Sequence, residues 1–434
     1  MSEHDMGALT AEMDYRSEAF RSAVLRAHGA RESELAELLH YTRNEFDLPF
    51  GLPDAGRAKC ECQCEPEQPP SPVTEPGAIR APRYPLPDEP FVAAWEEYAR
   101  EAETTGVAAC LRRVLVQLRF PIAPGVSESA SYRAATRRGV VVDGAPGGGA
   151  CFRDPGGIRL LLHPTAAGRV PVVIATARED FVTLVRALTR RNEPAPVPEA
   201  MGACIVAGYN NWERVTRLRT AWEAEHPADR SPAAWSRAFQ DLIPKKELYQ
   251  DRFILLSAGP YSATPADALG LPRDEWLATS LAIRLEHECT HYFTRRAFGR
   301  MQNVLLDELV ADYMGIVLAT GRYRADWFLR FVGLESYPEY RVGGRLENYR
   351  GEPPLSDGAF AVLQSVVCSA ADNLQLFDAE HLVVDWTPAQ RAAVVTALCQ
   401  LGLEGVASEC GVPLLEEITH HMEERLGASP AFVG

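Results

Sequence analysis

The strongest constraint on the fold is the segment Leu285-Glu-His287-Glu288-Cys-Thr-His291-Tyr-Phe, set inside a periodic run that opens at Pro272-Arg-Asp274 and continues to about Arg296. The run reads as one long helix. On a helix, residues i and i+4 lie about 40° apart around the axis. The imidazoles of His287 and His291 therefore point to one side and can share a tetrahedral Zn²⁺. Glu288 lies about 100° round from His287. It is badly placed as a third member of that pair but well placed to take a proton from a water that the metal has made acidic. Cys289 and Thr290 between the histidines are uncharged, and Tyr292 and Phe293 can pack beneath the site.

Around this helix the pattern changes twice. Residues 12–47 read as two short helices, with Phe20, Val24 and Leu25, then Leu35, Leu38 and Leu39, at helical spacing. Residues 51–90 are rich in Pro, Gly and acid and read as an extended linker. From 91 to 260 helix and strand alternate: Phe91–Phe120 is helical in pattern, and Gly139–Val142, Ile158–His163, Val170–Ala175, Ala203–Ala207 and Arg252–Ser257 are strand candidates. The PTAAGR stretch suits a hairpin connection, and Asn211 suits a helix cap ahead of Trp212. The Gly-rich stretch 144–157 lacks the Lys-Ser/Thr of a phosphate-binding loop and reads as a plain loop. Beyond 260 helices are expected near 304–320, 325–332, 357–372, 388–402 and 413–426. The expected class is α+β, a mixed-sheet N-terminal lobe followed by a mostly helical lobe. The expected domains are a helical segment 1–50, a Pro/Cys-rich linker 51–90, an α/β lobe 91–260 and a helical catalytic lobe 261–434.

A catalytic zinc site needs a third protein ligand and an open position. Thr294 and Ala297 stand where a metzincin would carry Gly and His, which excludes that arrangement. Downstream, Leu306-Asp307-Glu308-Leu-Val-Ala-Asp312 places Glu308 and Asp312 at i and i+4 of the next helix. The sequence here resembles the gluzincin, or thermolysin-like, metallopeptidases, whose pattern is H-E-x-x-H followed by a helix carrying E-x-x-x-D. The resemblance covers roughly residues 252–320. It implies a zincin-like helical lobe with His287, His291 and Glu308 as zinc ligands, Glu288 as the base and Asp312 as the carboxylate behind a ligating histidine. Asp307 is an alternative third ligand, because the spacing from His291 is short. Such enzymes carry a strand whose edge pairs with an extended peptide, and Phe253–Ser257 is the candidate here, with an ordinary core strand as the alternative. Tyr337, Tyr340, Arg341, Tyr349 and His381 are candidate donors to an oxyanion.

Other readings of the same residues remain. Glu288-Cys-Thr-His291 and Glu417-Ile-Thr-His420 are both E-x-x-H, the paired motif of di-iron carboxylate proteins. A non-catalytic zinc or scaffold protein is a third reading. Cys60, Cys62 and Cys64 form a C-x-C-x-C cluster without a well-spaced fourth ligand. The net charge of −15 and the lack of a basic stripe argue against nucleic acid as a partner. Absence of a long apolar run or a leader pattern argues against a membrane and for a cytoplasmic setting; a peptide or protein substrate is what the gluzincin resemblance implies. Only three of the 44 basic residues are Lys, a usage expected of a GC-rich bacterial genome.

Overall fold

The computed structural model describes residues 15–43, 82–140, 148–299, 301, 303–381 and 385–427. A mixed-sheet N-terminal region is followed by a predominantly helical C-terminal lobe. The chain divides into two compact units, Pro87–Tyr292 and Met1–Leu86 with Phe293–Gly434. The Cys60, Cys62 and Cys64 cluster, and residues 51–81 of the expected linker, lie outside the described residues.

After two N-terminal helices, α1 (Glu18–Ala27) and α2 (Glu32–Tyr41), the unit Pro87–Tyr292 forms α3 (Val92–Thr105), α4 (Val107–Val114), α5 (Ala130–Arg138), β1 (Ile158–Thr165), β2 (Gly168–Ala175), α6 (Arg178–Thr189), β3 (Ala203–Asn210), α7 (Trp212–Glu225), α8 (Pro232–Leu242), β4 (Gln250–Ser257) and most of α9 (Arg273–Phe298). The strands form one sheet in the order β1-β2-β4-β3. β1 and β2 make an antiparallel hairpin, β2 runs parallel to β4, and β3 is antiparallel to β4. The hairpin turn works because Thr165 Oγ1 accepts from the Ala167 N–H and donates to the Gly168 carbonyl. Alternation splits the sheet into two faces. One face, with Val173, Ala175, Phe253 and Leu255, packs on Trp95, Leu111 and Phe181 of α3, α4 and α6. The other meets α9: His163 of β1 reaches Glu286, and Arg252 of β4 lies over the Tyr292 ring.

Two expectations fail here. Phe253–Ser257 is not an edge: β4 is hydrogen-bonded to strands on both sides, and the described sheet ends on β1 and β3. Its four consecutive apolar residues reflect burial on both faces. Nor do Gly139 and Val140 begin a strand; 141–142 lie outside the described residues. Gly139 ends α5 at φ 66°, and the N–H groups of Gly139 and Val140 return to the carbonyls of Ala135 and Ala134. A Cβ at Gly139 would also stand 2.7 Å from the Trp212 ring, so both backbone and packing require glycine. The Gly-rich loop holds no phosphate cradle over its described part, because the N–H groups of Arg153 and Asp154 are taken by the Asp180 carboxylate at 2.6 and 2.9 Å. Asn211 caps α7 as expected, accepting from the Glu213 and Arg214 N–H groups.

In the other unit, α1 (Glu18–Ala27) and α2 (Glu32–Tyr41) pack with the C-terminal helices. These are α10 (Val304–Thr320), α11 (Ala325–Val332), α12 (Asp357–Glu380), α13 (Pro388–Ala407) and α14 (Gly411–Leu426). α10 and α11 stop at Gly321 and Gly333, both left-handed, as their positions in the sequence predict. α12 is long and apolar enough to cross a membrane by length and composition alone. Its buried Phe360, Leu363, Val367, Leu374 and Phe377 make it a core helix of this unit.

Candidate metal centre

The site is built by α9 and the loop that precedes it. Trp276, Ser280, Arg284, His287 and His291 recur at three- and four-residue spacing, so they fall along one side of the helix. All five are buried. The Trp276 indole donates to the Thr264 carbonyl at 2.7 Å. Ser280 Oγ accepts from the Tyr261 N–H at 3.0 Å. The Arg284 guanidinium donates to the carbonyls of Ser257, Gly259 and Pro260 at 2.7–3.0 Å. Three successive steps of α9 thus hold the chain from the end of β4 to Thr264. This clamp sustains positive φ at Ser262 (48°) and Ala263 (54°), which costs on the order of 1–2 kcal/mol each for residues with a side chain.

The clamp delivers Tyr261 to the first histidine. Its hydroxyl lies 2.9 Å from His287 Nδ1. The other nitrogen of that ring, Nε2, lies 3.0 Å from His291 Nε2. Both histidines are 6% exposed. Two nitrogens about 2.05 Å from one ion at the tetrahedral angle stand roughly 3.3 Å apart. The observed Nε2–Nε2 separation fits a shared ion closely. With an ion held by both Nε2 lone pairs, the His287 proton would sit on Nδ1 and be donated to the Tyr261 hydroxyl. Glu308, the expected third ligand, is half-buried on α10, in the unit that includes Phe293–Gly434. A possible metal-binding site therefore stands at this histidine pair, with two nitrogen donors.

Glu288 is half-buried. Burial pushes the Arg284 guanidinium down to about 10, against the opposing pull of Tyr261 and of Glu288. The Glu288 charge is thus near enough to be felt one turn back along the helix.

A family of unknown function, DUF7005, matches residues 75–410. The chain belongs to this family. The matched stretch takes in every residue of the site described above. No curated protein matches the chain, and no solved structure matches it either.

The remaining expected site residues have the following places. Asp307 accepts from the Thr294 hydroxyl at 2.9 Å. Asp312 is fully buried and ion-paired with Arg345. Arg345 lies beyond the motif in the 3₁₀ turn Arg345–Tyr349, where the sequence carries no signal for it. Tyr340 donates to the Gly344 carbonyl, Arg341 pairs with Glu335, and Tyr349 accepts at its carbonyl from Tyr41. Tyr337 is 44% exposed. His381 is stacked on Phe377, and burial lowers its pKa. Glu417 and His420 are exposed on α14, with His420 Nε2 3.3 Å from Glu424. Sequence reading missed Tyr261, Ser280 and Arg284. The last two are visible as polar residues on the His287 side of α9, but Tyr261 has no periodicity to mark it.

Proposed function

We propose that this chain is a zinc-dependent hydrolase acting on the amide bond of a peptide or protein, in the manner of the gluzincins. The observation that carries this reading is the pair of buried Nε2 atoms 3.0 Å apart, with Glu288 beside the first histidine in sequence; the resemblance supplies Glu308 as the third ligand. Bound zinc would supply Lewis acidity and bring a water's pKa toward neutrality. The chain's own residues do the rest. His287, His291 and Glu308 hold the ion, and Tyr261 keeps the His287 ring in one tautomer and orientation. Glu288 takes a proton from the attacking water and passes it to the departing amine. The amide target is supported by β3, which among the described residues pairs only with β4 and leaves an edge for an extended peptide. Its start lies against the site: a Cβ at Gly202 would stand 2.4 Å from the Arg284 guanidinium.

The test is metal analysis of the purified chain together with a peptide mixture read for new termini by mass spectrometry. The expected result is one zinc per cluster, cleavage that a chelator abolishes, and a Glu288→Gln variant that keeps zinc but does not cleave. Undiminished cleavage by that variant would overturn the reading. Unchanged biological function after the same substitution would instead support a non-catalytic metal protein.

A second reading rests on the same donors. Two imidazoles and one carboxylate with open positions also suit non-haem iron. Glu288/His291 on α9 and Glu417/His420 on α14 repeat the paired E-x-x-H pattern of di-iron carboxylate proteins. Two irons per chain, lost on joint replacement of Glu417 and His420 by Ala, would establish that reading over the hydrolase.

A further inference from the structure

Helix α9 carries a second set of metal-ligating side chains, away from the His287 side. Glu286 and Cys289 are three residues apart, which sets them about 60° apart around the axis. Their mean direction is about 150° from that of His287 and His291. They face the sheet, where His163 on β1 brings its Nε2 to 3.0 Å from Glu286 Oε1. The ligand atoms of His163, Glu286 and Cys289 all lie within 4.8 Å of one another. Cys289 is 4% exposed and in no disulfide, and the His163 and Glu286 side chains are 18% and 16% exposed.

A nitrogen–oxygen–sulfur triangle of this size is a set that zinc accepts, at 2.0–2.3 Å from each ligand atom. An N–O separation of 3.0 Å is again near the roughly 3.3 Å edge of a tetrahedron about one ion. The sulfur favours zinc over calcium or magnesium. The partial exposure of His163 and Glu286 leaves the fourth position to water.

We propose that His163, Glu286 and Cys289 form a second, independent zinc site that ties the edge strand β1 to α9. Its ligands come from segments 123 residues apart, and it shares none with the His287/His291 cluster. It is a structural clasp on the sheet side of the helix and stands whether or not the chain is a hydrolase.

The test uses the full-length chain, stripped by a chelator and reloaded with Co²⁺. A near-ultraviolet thiolate-to-cobalt charge-transfer band is expected in the native chain. It persists when His287 and His291 are both replaced by Ala, and it is lost in Cys289→Ser and weakened at least tenfold in cobalt affinity by His163→Gln. Zinc content falls by one per chain in Cys289→Ser. Absence of the band from the native chain overturns the proposal. So does its survival in Cys289→Ser, which assigns the thiolate to another cysteine. Should Cys289→Ser fail to fold, unchanged cobalt affinity in His163→Gln overturns it equally.

Discussion

α9 and α12 are the two longest helices described, 26 and 24 residues, and both are largely buried. They differ in how much polar surface they bury alongside the apolar. α12 puts Phe360, Leu363, Leu374 and Phe377 inside, and burying such side chains stabilises by about 1.5–3 kcal/mol each. α9 puts Ser280, Arg284, His287, Thr290 and His291 inside. Burying polar groups costs free energy unless each is hydrogen-bonded. On α9 the cost is met residue by residue: Arg284 has three carbonyls, Ser280 an N–H, Thr290 the Glu286 carbonyl and His287 a phenol. A helix that only had to fold would follow α12. α9 buries Trp276, Ile283, Tyr292 and Phe293 and adds to them a fixed array of donors and acceptors, which is what a metal centre requires. Where α12 does bury a charge, at Asp378, the group is used locally to accept from the Tyr323 N–H.

The contrast predicts that α9 substitutions change chemistry with little loss of stability and that α12 substitutions do the reverse. The largest effect is expected from Glu288→Gln: a loss of roughly 10²–10⁴-fold in peptide cleavage, with zinc content and melting temperature unchanged. A parallel fall in melting temperature would show that α9 is held by the same forces as α12. Phe377→Ala is expected to cost about 3–5 kcal/mol in denaturant unfolding, while the zinc affinity of the folded protein stays at the native value. Loss of zinc from the folded variant would break the separation from the other side. Tyr261→Phe removes the hydroxyl at His287 Nδ1 and should weaken zinc affinity about 10–100-fold, read by competition with a chromophoric chelator. An unaltered affinity would assign Tyr261 to packing alone.

The smallest effect lies at the end of α12. Burial and the neighbouring Glu380 push Glu416 up from 4.5 to about 7. A carboxyl whose pKa is raised on folding contributes stability that is complete below its unfolded pKa and is lost as pH rises through the folded one. Stability is therefore expected to decline modestly between about pH 4.5 and 7, and Glu416→Gln should flatten that slope. A slope that is identical in the variant would remove Glu416 from the account.

Much of the helical lobe was legible because its punctuation is local. Pro272, Gly321 and Gly333 act through backbone geometry within one turn, so the ends of α9, α10 and α11 fall where the sequence places them. The hairpin at Thr165–Gly168 and the Asn211 cap were legible for the same reason. The Gly139 error shows the limit: a glycine before apolar residues suits a strand start and a helix end alike, and only the Trp212 ring beneath it decides. β4 was legible as a strand, but its place in the sheet depends on β2 and β3, which are remote in sequence.

The His287–His291 spacing by itself determined that two imidazoles would face one way, because helix geometry leaves no other outcome. Glu308 and Asp307, adjacent on one helix, could not be told apart by spacing. The tertiary structure gives Asp307 a partner within its own unit, the Thr294 hydroxyl. It alone brought Tyr261 to His287, through a loop held by hydrogen bonds that leave no periodic trace. It alone brought His163 to Glu286, since a strand register across a sheet is set by pairing with distant segments and not by neighbours in the chain.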